Sequence, residues 1–241
     1  MTDTGRPAAP VRAITFDLDF TLWDLEGVLH RAEELQYRFL AEHYPEVARR
    51  YTHRALQALR FTLYEERADL RYNVTELRKA ALRRVAGECG YDEAMVEQAF
   101  EVFLDARHEV KLYEDVEPLL ARLHGRYVLG VITNGNADIR RFGIGQYFDF
   151  ALTPMDIGAA KPDRAIFEAA CRHAGVEPAE VAHVGDDPEA DVIGAASFGM
   201  QAVWLNRTSA AWPQGLVRPP CIELPSLADL DRQFQTQLLP S

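Results

Sequence analysis

The sequence predicts an α/β protein in which a doubly wound parallel-sheet core is interrupted by an all-helical insert. Three observations carry this. A short β-rich run, Val11 to Phe16, ends directly in the acidic segment Asp17-Leu18-Asp19. From about Glu26 to Val110 the apolar residues recur at helical spacing with few Gly or Pro, as in Leu35, Phe39 and Leu40 or Val96, Phe100 and Phe103. After Glu114, short apolar runs alternate with helical stretches, the pattern of strands joined by crossover helices.

The first run reads as a buried strand. The runs Tyr127 to Thr133, Phe150 to Thr153, Val181 to Val184 and Ala202 to Leu205 read as its partners. These place the α/β core at residues 1–25 plus 111–241 and the helical insert at 26–110. Neither internal repeats nor low-complexity tracts interrupt the pattern.

Composition narrows the classes of function. With 241 residues and 48% hydrophobic content the chain can pack a large core. A formal net charge of −11 argues against nucleic acid as a partner, because counterion release needs a basic surface. Cys89, Cys171 and Cys221 are widely spaced and in no CxxC arrangement, which predicts reduced thiols and a cytoplasmic location. No apolar run reaches the roughly 20 residues that span a bilayer, and the opening Met1 to Pro10 is polar and Pro-rich rather than signal-like. Between Arg49 and Arg84 ten basic residues face four acidic ones, an excess that either steers an anionic substrate or is a solvated face of paired charges.

The chemistry concentrates at predicted strand ends. Asp17 and Asp19 lie two apart, so an extended backbone directs both carboxylates to one side. Gly185-Asp186-Asp187-Pro188-Glu189-Ala190-Asp191 follows the strand Val181 to Val184 in the same way. In doubly wound sheets ligands bind beyond the carboxyl ends of the strands, where Asp17, Asp186 and Asp191 converge if these strands are neighbours. Such hard oxygen donors suit Mg²⁺, and no His or Cys is placed for zinc. Thr133-Asn134-Gly135-Asn136, read as lying near a helix start, offers a hydroxyl and backbone N–H groups to phosphate oxygens. Lys161, with Pro162 read at the first helical turn, adds a fixed positive charge. Singly these signals are weak; their shared position at one end of their elements is specific.

The order of AITFDLDFTL (Ala13 to Leu22), VITNGN (Val131 to Asn136), Lys161-Pro162 and HVGDDPEAD (His183 to Asp191) resembles the four motifs of the haloacid dehalogenase-like hydrolase superfamily, whose core is Rossmann-like. The resemblance implies a Mg²⁺-dependent phosphatase of small-molecule phosphate esters. The expected partner is that small molecule alone, without membrane or nucleic acid, and the chain is expected as monomer or homodimer. It implies Asp17 as the nucleophile that becomes an aspartyl phosphate and Asp19 as the acid and base. It makes Thr133, Asn134 and Lys161 the phosphate clamp, and Asp17, the backbone carbonyl of Asp19, and Asp186 the metal ligands, supported by Asp187 and Asp191. The insert resembles the family's helical cap. Phe20 departs from the family's usual Asp or Gly, setting a bulky ring near the start of that insert. ITNGNA, FGIGQYFDF (Phe142 to Phe150), GAAKP and HVGDD further resemble the bacterial phosphatases of flavin mononucleotide and of the phosphorylated ribitylaminouracil precursor of riboflavin.

The rival within the fold is a 2-haloacid dehalogenase, which needs neither a leaving-group acid at Asp19 nor a metal at Asp186. A signalling receiver domain is shorter and lacks a helical insert, and a catalytically silent phosphate-binding relative would not need intact motifs. Trp23, Tyr37, Phe39, Tyr51 and Phe61 are candidates to stack on a flat ring, with core packing the commoner fate of such side chains. His183 and Trp204 are read as buried strand residues.

Overall fold

The computed structural model describes residues 9–235. Residues 1–8, most of the polar opening segment, lie outside the described residues. The described residues divide into two compact units, one of residues 9–24, 112–134 and 139–235, the other of residues 25–111 and 135–138.

The first unit is built on β1 (Ala13–Phe16), which is buried along its whole length, as the run AITF requires of a central strand covered on both faces. Two short strands, β2 (Trp23–Asp24) and β3 (Lys111–Leu112), mark where the chain leaves and returns. The sheet continues with β4 (Val128–Ile132), β5 (Phe150–Leu152), β6 (Val181–Gly185), β7 (Gln201–Leu205) and β8 (Ile222–Leu224). Its order is β5-β4-β1-β6-β7-β8, and every neighbouring pair is parallel. After β1 the chain builds outward through β4 and β5, then returns to the other side of β1 for β6, β7 and β8. That reversal creates the switch point of a doubly wound sheet, where the carboxyl ends of β1, β4 and β6 face a common crevice.

The second unit holds helices α1 (Val28–His43), α2 (Pro45–Arg50), α3 (His53–Glu66), α4 (Val74–Cys89) and α5 (Glu93–Arg107). Ala32, Leu40, Val85, Met95 and Phe103 are among the buried residues that close its core. The basic excess predicted from the sequence is paired off: apart from Arg54, each of the ten has a carboxylate partner, as in Arg83 with Glu76 and Glu93 or Lys79 with Glu97. This region is therefore a lattice of ion pairs rather than a field of unpaired cations. Glu33, buried among the helices, accepts from Gln57 at 2.7 Å and Arg78 at 3.1 Å, and from Arg60.

The remaining helices, α6 (Val116–Leu123), α7 (Pro154–Ile157), α8 (Arg164–Ala174), α9 (Gly194–Phe198) and α10 (Leu230–Gln235), belong to the first unit. Two local expectations are corrected here. No α-helix starts behind Thr133: the next helical turn is the 3₁₀ segment Ile139–Phe142, because Gly135 to Asp138 runs irregularly, so no α-helix dipole points at Thr133. Pro162 is not the first residue of α8. Asp163 caps that helix, accepting from the Ala165 N–H at 2.8 Å, and the Lys161–Pro162 peptide before it is cis.

Candidate active site

β1 delivers Asp17 to the crevice, its N–H tied to the Val184 carbonyl of β6 at 2.9 Å. Lys161 reaches it from the segment before α8, with Nζ 2.6 Å from Asp17 Oδ1 and 2.6 Å from Asp191 Oδ1. All three are buried. Asp191 sits in a six-residue π-helix, Pro188–Ile193, a geometry frequent at functional sites. Gly185 makes room for it: a Cβ there would lie 2.2 Å from the Asp191 carboxyl carbon.

Asp186 completes the cluster. One oxygen each from Asp17, Asp186 and Asp191 lies within 4.8 Å of the others. Asp186 Oδ1 accepts from the Thr21 hydroxyl at 3.1 Å, and its backbone carbonyl accepts from the Trp204 indole at 2.9 Å. Arg207 braces the Thr21 loop, donating to the Thr21 carbonyl at 3.1 Å and pairing through two nitrogens with Asp115. Thr21 and Trp204 are positioning residues that sequence reasoning missed. TL after DxD and a Trp on a later strand carry no spacing signal that links them to Asp186.

The charges are not balanced by protein alone. Burial raises the Asp17 carboxyl well above its usual range, with Lys161 pulling the other way. Burial likewise pushes Asp186 up to about 7. For Asp191 burial also opposes ionisation, but Lys161 and His183 outweigh it and hold the carboxyl well below its usual range. Lys161 is held charged by Asp17 and Asp191 against its own burial. Ionising all three carboxylates against one ammonium would leave the site two charges negative, which burial penalises, so Asp17 and Asp186 are raised, and a divalent cation would offset that charge. The donor set fits Mg²⁺: Asp17 and Asp186 each keep an oxygen outside their hydrogen bonds, and all donors are hard. Asp191, already accepting from Lys161, from His183 at 3.0 Å and from the Asp187 N–H at 3.0 Å, is tied to its neighbours instead.

Asp19 lies two residues past Asp17 and accepts from the Trp23 indole at 2.8 Å. The Trp23 ring is fully buried, the commoner fate expected for it, and its polar edge serves Asp19. Of the other ring candidates, Tyr37 donates to the Tyr51 carbonyl at 3.0 Å and Tyr51 to Glu88, Phe39 packs on the helical core, and Phe61 is 66% exposed. Directly after Asp19 the chain turns at Phe20, whose φ of 58° is left-handed. Gly and Asp tolerate that conformation best, which gives a physical reason for the family preference that Phe20 breaks.

Thr133 is buried at the end of β4, with its N–H donated to the Leu152 carbonyl at 3.1 Å. Asn134 is placed differently from a direct clamp. Its side chain accepts from the Lys161 N–H at 2.8 Å and donates to the Lys161 carbonyl at 2.9 Å, fixing the backbone that presents the lysine. Asp187 uses its carboxylate to cap the π-helix, accepting from the N–H groups of Glu189 and Ala190.

A family model for haloacid dehalogenase-like hydrolases matches residues 11–199. The 5-amino-6-(5-phospho-D-ribitylamino)uracil phosphatase YigB of Escherichia coli (strain K12) is 31% identical over 233 residues, covering 93% of this chain and 97% of the relative. The N-acylneuraminate-9-phosphatase of Homo sapiens is 29% identical over 238 residues, covering 90% of this chain and 93% of the relative. Among solved structures, a 2-haloacid dehalogenase from Pseudomonas syringae pv. Tomato DC3000 superposes with a TM-score of 0.87 at 37% identity, covering 95% of this chain and 100% of that one. With a carboxylate-rich switch point and a family match spanning most of its length, the chain belongs to the haloacid dehalogenase-like hydrolases and is an enzyme.

Proposed function

We propose that the protein is a Mg²⁺-dependent phosphatase of small phosphorylated metabolites, with Asp17 as nucleophile and Asp19 as acid and base. The observation that carries this is the buried cluster of Asp17, Asp186 and Asp191 around Lys161, with Asp19 held apart on Trp23. Asp17 and Asp186, with the Asp19 backbone carbonyl, would hold the metal. Bound Mg²⁺ supplies charge neutralisation and orients phosphoryl oxygens.

An oxygen of Asp17 attacks phosphorus, the ester P–O bond breaks, and the leaving oxygen takes the proton of Asp19. Asp19, now ionised, takes a proton from water as that water attacks phosphorus, releasing inorganic phosphate and the Asp17 carboxylate. Lys161 stays charged throughout and offsets the repulsion between nucleophile and phosphate, while the Thr133 hydroxyl contacts phosphate oxygens. Asn134 takes part by holding Lys161, and Asp187 and Asp191 by shaping the loop around Asp186. The cytoplasm is the proposed location, and among the described residues no helix is long and apolar enough to cross a membrane.

For the substrate we propose a flavin-type phosphate, either flavin mononucleotide or the ribitylaminouracil phosphate. The support is the full-length similarity to YigB and the motif segments around Asn134, Lys161 and His183. Substrate choice is assigned to the helical unit, because core motifs report chemistry rather than specificity. A screen of flavin mononucleotide, sugar phosphates, nucleoside monophosphates and phosphoglycolate tests this. Strong turnover of another class beside weak turnover of flavin-type phosphates would discard the narrower proposal and leave the phosphatase standing.

The similarity to the Pseudomonas syringae dehalogenase favours a second reading, halide displacement by Asp17. That chemistry gives no purpose to Thr21 holding Asp186 or to Trp23 holding Asp19. Chloride release from 2-chloropropionate, measured beside phosphate release from para-nitrophenyl phosphate, decides between them.

A further inference from the structure

Behind the acidic cluster runs a continuous buried chain of polar contacts that the motifs do not explain. Thr15 on β1 and His183 on β6 are register partners, and Thr15 Oγ1 lies 2.9 Å from His183 Nδ1. His183 Nε2 lies 3.0 Å from Asp191 Oδ1, the same oxygen that Lys161 Nζ meets at 2.6 Å, and Lys161 Nζ meets Asp17 Oδ1 at 2.6 Å. From Thr15 to Asp17 every member is buried. Phe167 of α8 stands edge-on to the imidazole, with ring centroids 5.6 Å apart. Gly185, two residues past His183 on the same face, leaves open the space through which the Asp191 carboxylate reaches the ring.

We propose that His183 is a positioning residue of this site, holding Asp191, and through it Lys161, against Asp17, while Thr15 fixes which ring nitrogen carries the proton. A carboxylate oxygen only accepts, so the nitrogen facing Asp191 carries hydrogen. In a neutral ring Nδ1 then accepts, and the Thr15 hydroxyl donates to it. The strand register thus sets a tautomer, the tautomer sets the Asp191 carboxylate, and the carboxylate sets one of the two anchors of the lysine ammonium. Asp187 N–H grips the other Asp191 oxygen at 3.0 Å, so losing His183 frees the end that faces Lys161. Removal of such an outer partner typically costs roughly 10–100-fold in activity.

The kinetic part of this inference rests on the phosphatase reading; the positional part does not. His183→Leu removes both ring contacts, His183→Gln keeps an amide N–H within reach of Asp191, and Thr15→Val removes one hydroxyl with little change of volume. Assayed as full-length protein with para-nitrophenyl phosphate, His183→Leu should lower kcat by about 10–100-fold with KM nearly unchanged. His183→Gln should recover most of the loss, and Thr15→Val should fall between the two. The activity-independent readout is the Lys161 ammonium resonance in ¹⁵N-lysine-labelled protein, slowly exchanging in the wild type and in His183→Gln and lost in His183→Leu. A His183→Leu protein that melts earlier but keeps its kcat and its Lys161 resonance would overturn the proposal, since His183 would then merely fill space. If the wild type releases no phosphate while the Lys161 resonances behave as described, the positional inference stands and the phosphatase reading falls.

Discussion

At the scale of single residues, the acidic cluster is a site whose stability is held below what packing would allow. Asp186 titrates at about 7 in the folded protein against an ordinary value of 3.8, so between these pH values the folded state holds a proton that the unfolded chain has lost. Stability of the metal-free protein therefore falls as pH rises from about 4 to about 7, by roughly 4 kcal/mol at most for this group. Asp17 is raised as well and acts in the same sense, whereas Asp191 is lowered and its contribution is lost only as pH falls below the ordinary carboxylate range. Urea denaturation at pH 5 and pH 8 checks this: Asp186→Asn should flatten the slope and stabilise the metal-free protein at pH 8. An unchanged slope would mean that Asp186 is already compensated. Residues also mark where sequence reading stopped. Asp17, Asp19, Lys161 and Asp186 were legible because they fall at strand or loop positions with a known spacing. Thr15, Thr21, Trp23, Trp204 and the Asn134 grip on Lys161 were not, because each depends on a contact between distant segments.

At the scale of elements, each functional group is presented by a strand end or a capped helix start. Asp163 caps α8 directly behind Lys161, accepting from the Ala165 N–H. Asp163→Ala should cost about 1 kcal/mol of stability while leaving kcat nearly intact, because Asn134 holds the Lys161 backbone independently. Thermal melting and steady-state kinetics on one preparation separate the two effects. Gly185→Ala should do the opposite. Its Cβ would strike the Asp191 carboxylate within the crevice, so activity should fall further than stability alone would explain. Full activity of Gly185→Ala would show that Asp191 moves without consequence. The strands β1, β4, β5, β6 and β7 were readable from apolar runs bounded by turn residues. β8 was not, because Ile222–Leu224 is three residues long with Glu223 at its centre, too short for a periodic signal. The segment behind Thr133 was misread as near a helix start because Gly and Asn also suit irregular turns.

At the scale of the whole molecule, the alternation of strand and helix after Glu114 was enough to foresee the parallel sheet, because only crossover connections join parallel neighbours. The strand order was fixed by pairing across the chain: β1 lies between β4 and β6, which brings residues 144 and 174 positions apart, Lys161 and Asp191, to the same carboxylate and ammonium cluster as Asp17. Binding of Mg²⁺ to that cluster should raise the melting temperature of the wild type and lose this effect in Asp186→Asn, and excess chelator should abolish turnover. The central claim is that Asp17 carries the phosphoryl group during turnover. Acid quenching of the wild type with a turned-over phosphate ester, followed by mass spectrometry of its peptides, should find a phosphoryl adduct on the peptide bearing Asp17. Asp17→Asn should fold normally, show no adduct and lose at least about 10⁴-fold in kcat. A well-folded Asp17→Asn protein that still releases phosphate at the wild-type rate would contradict the account.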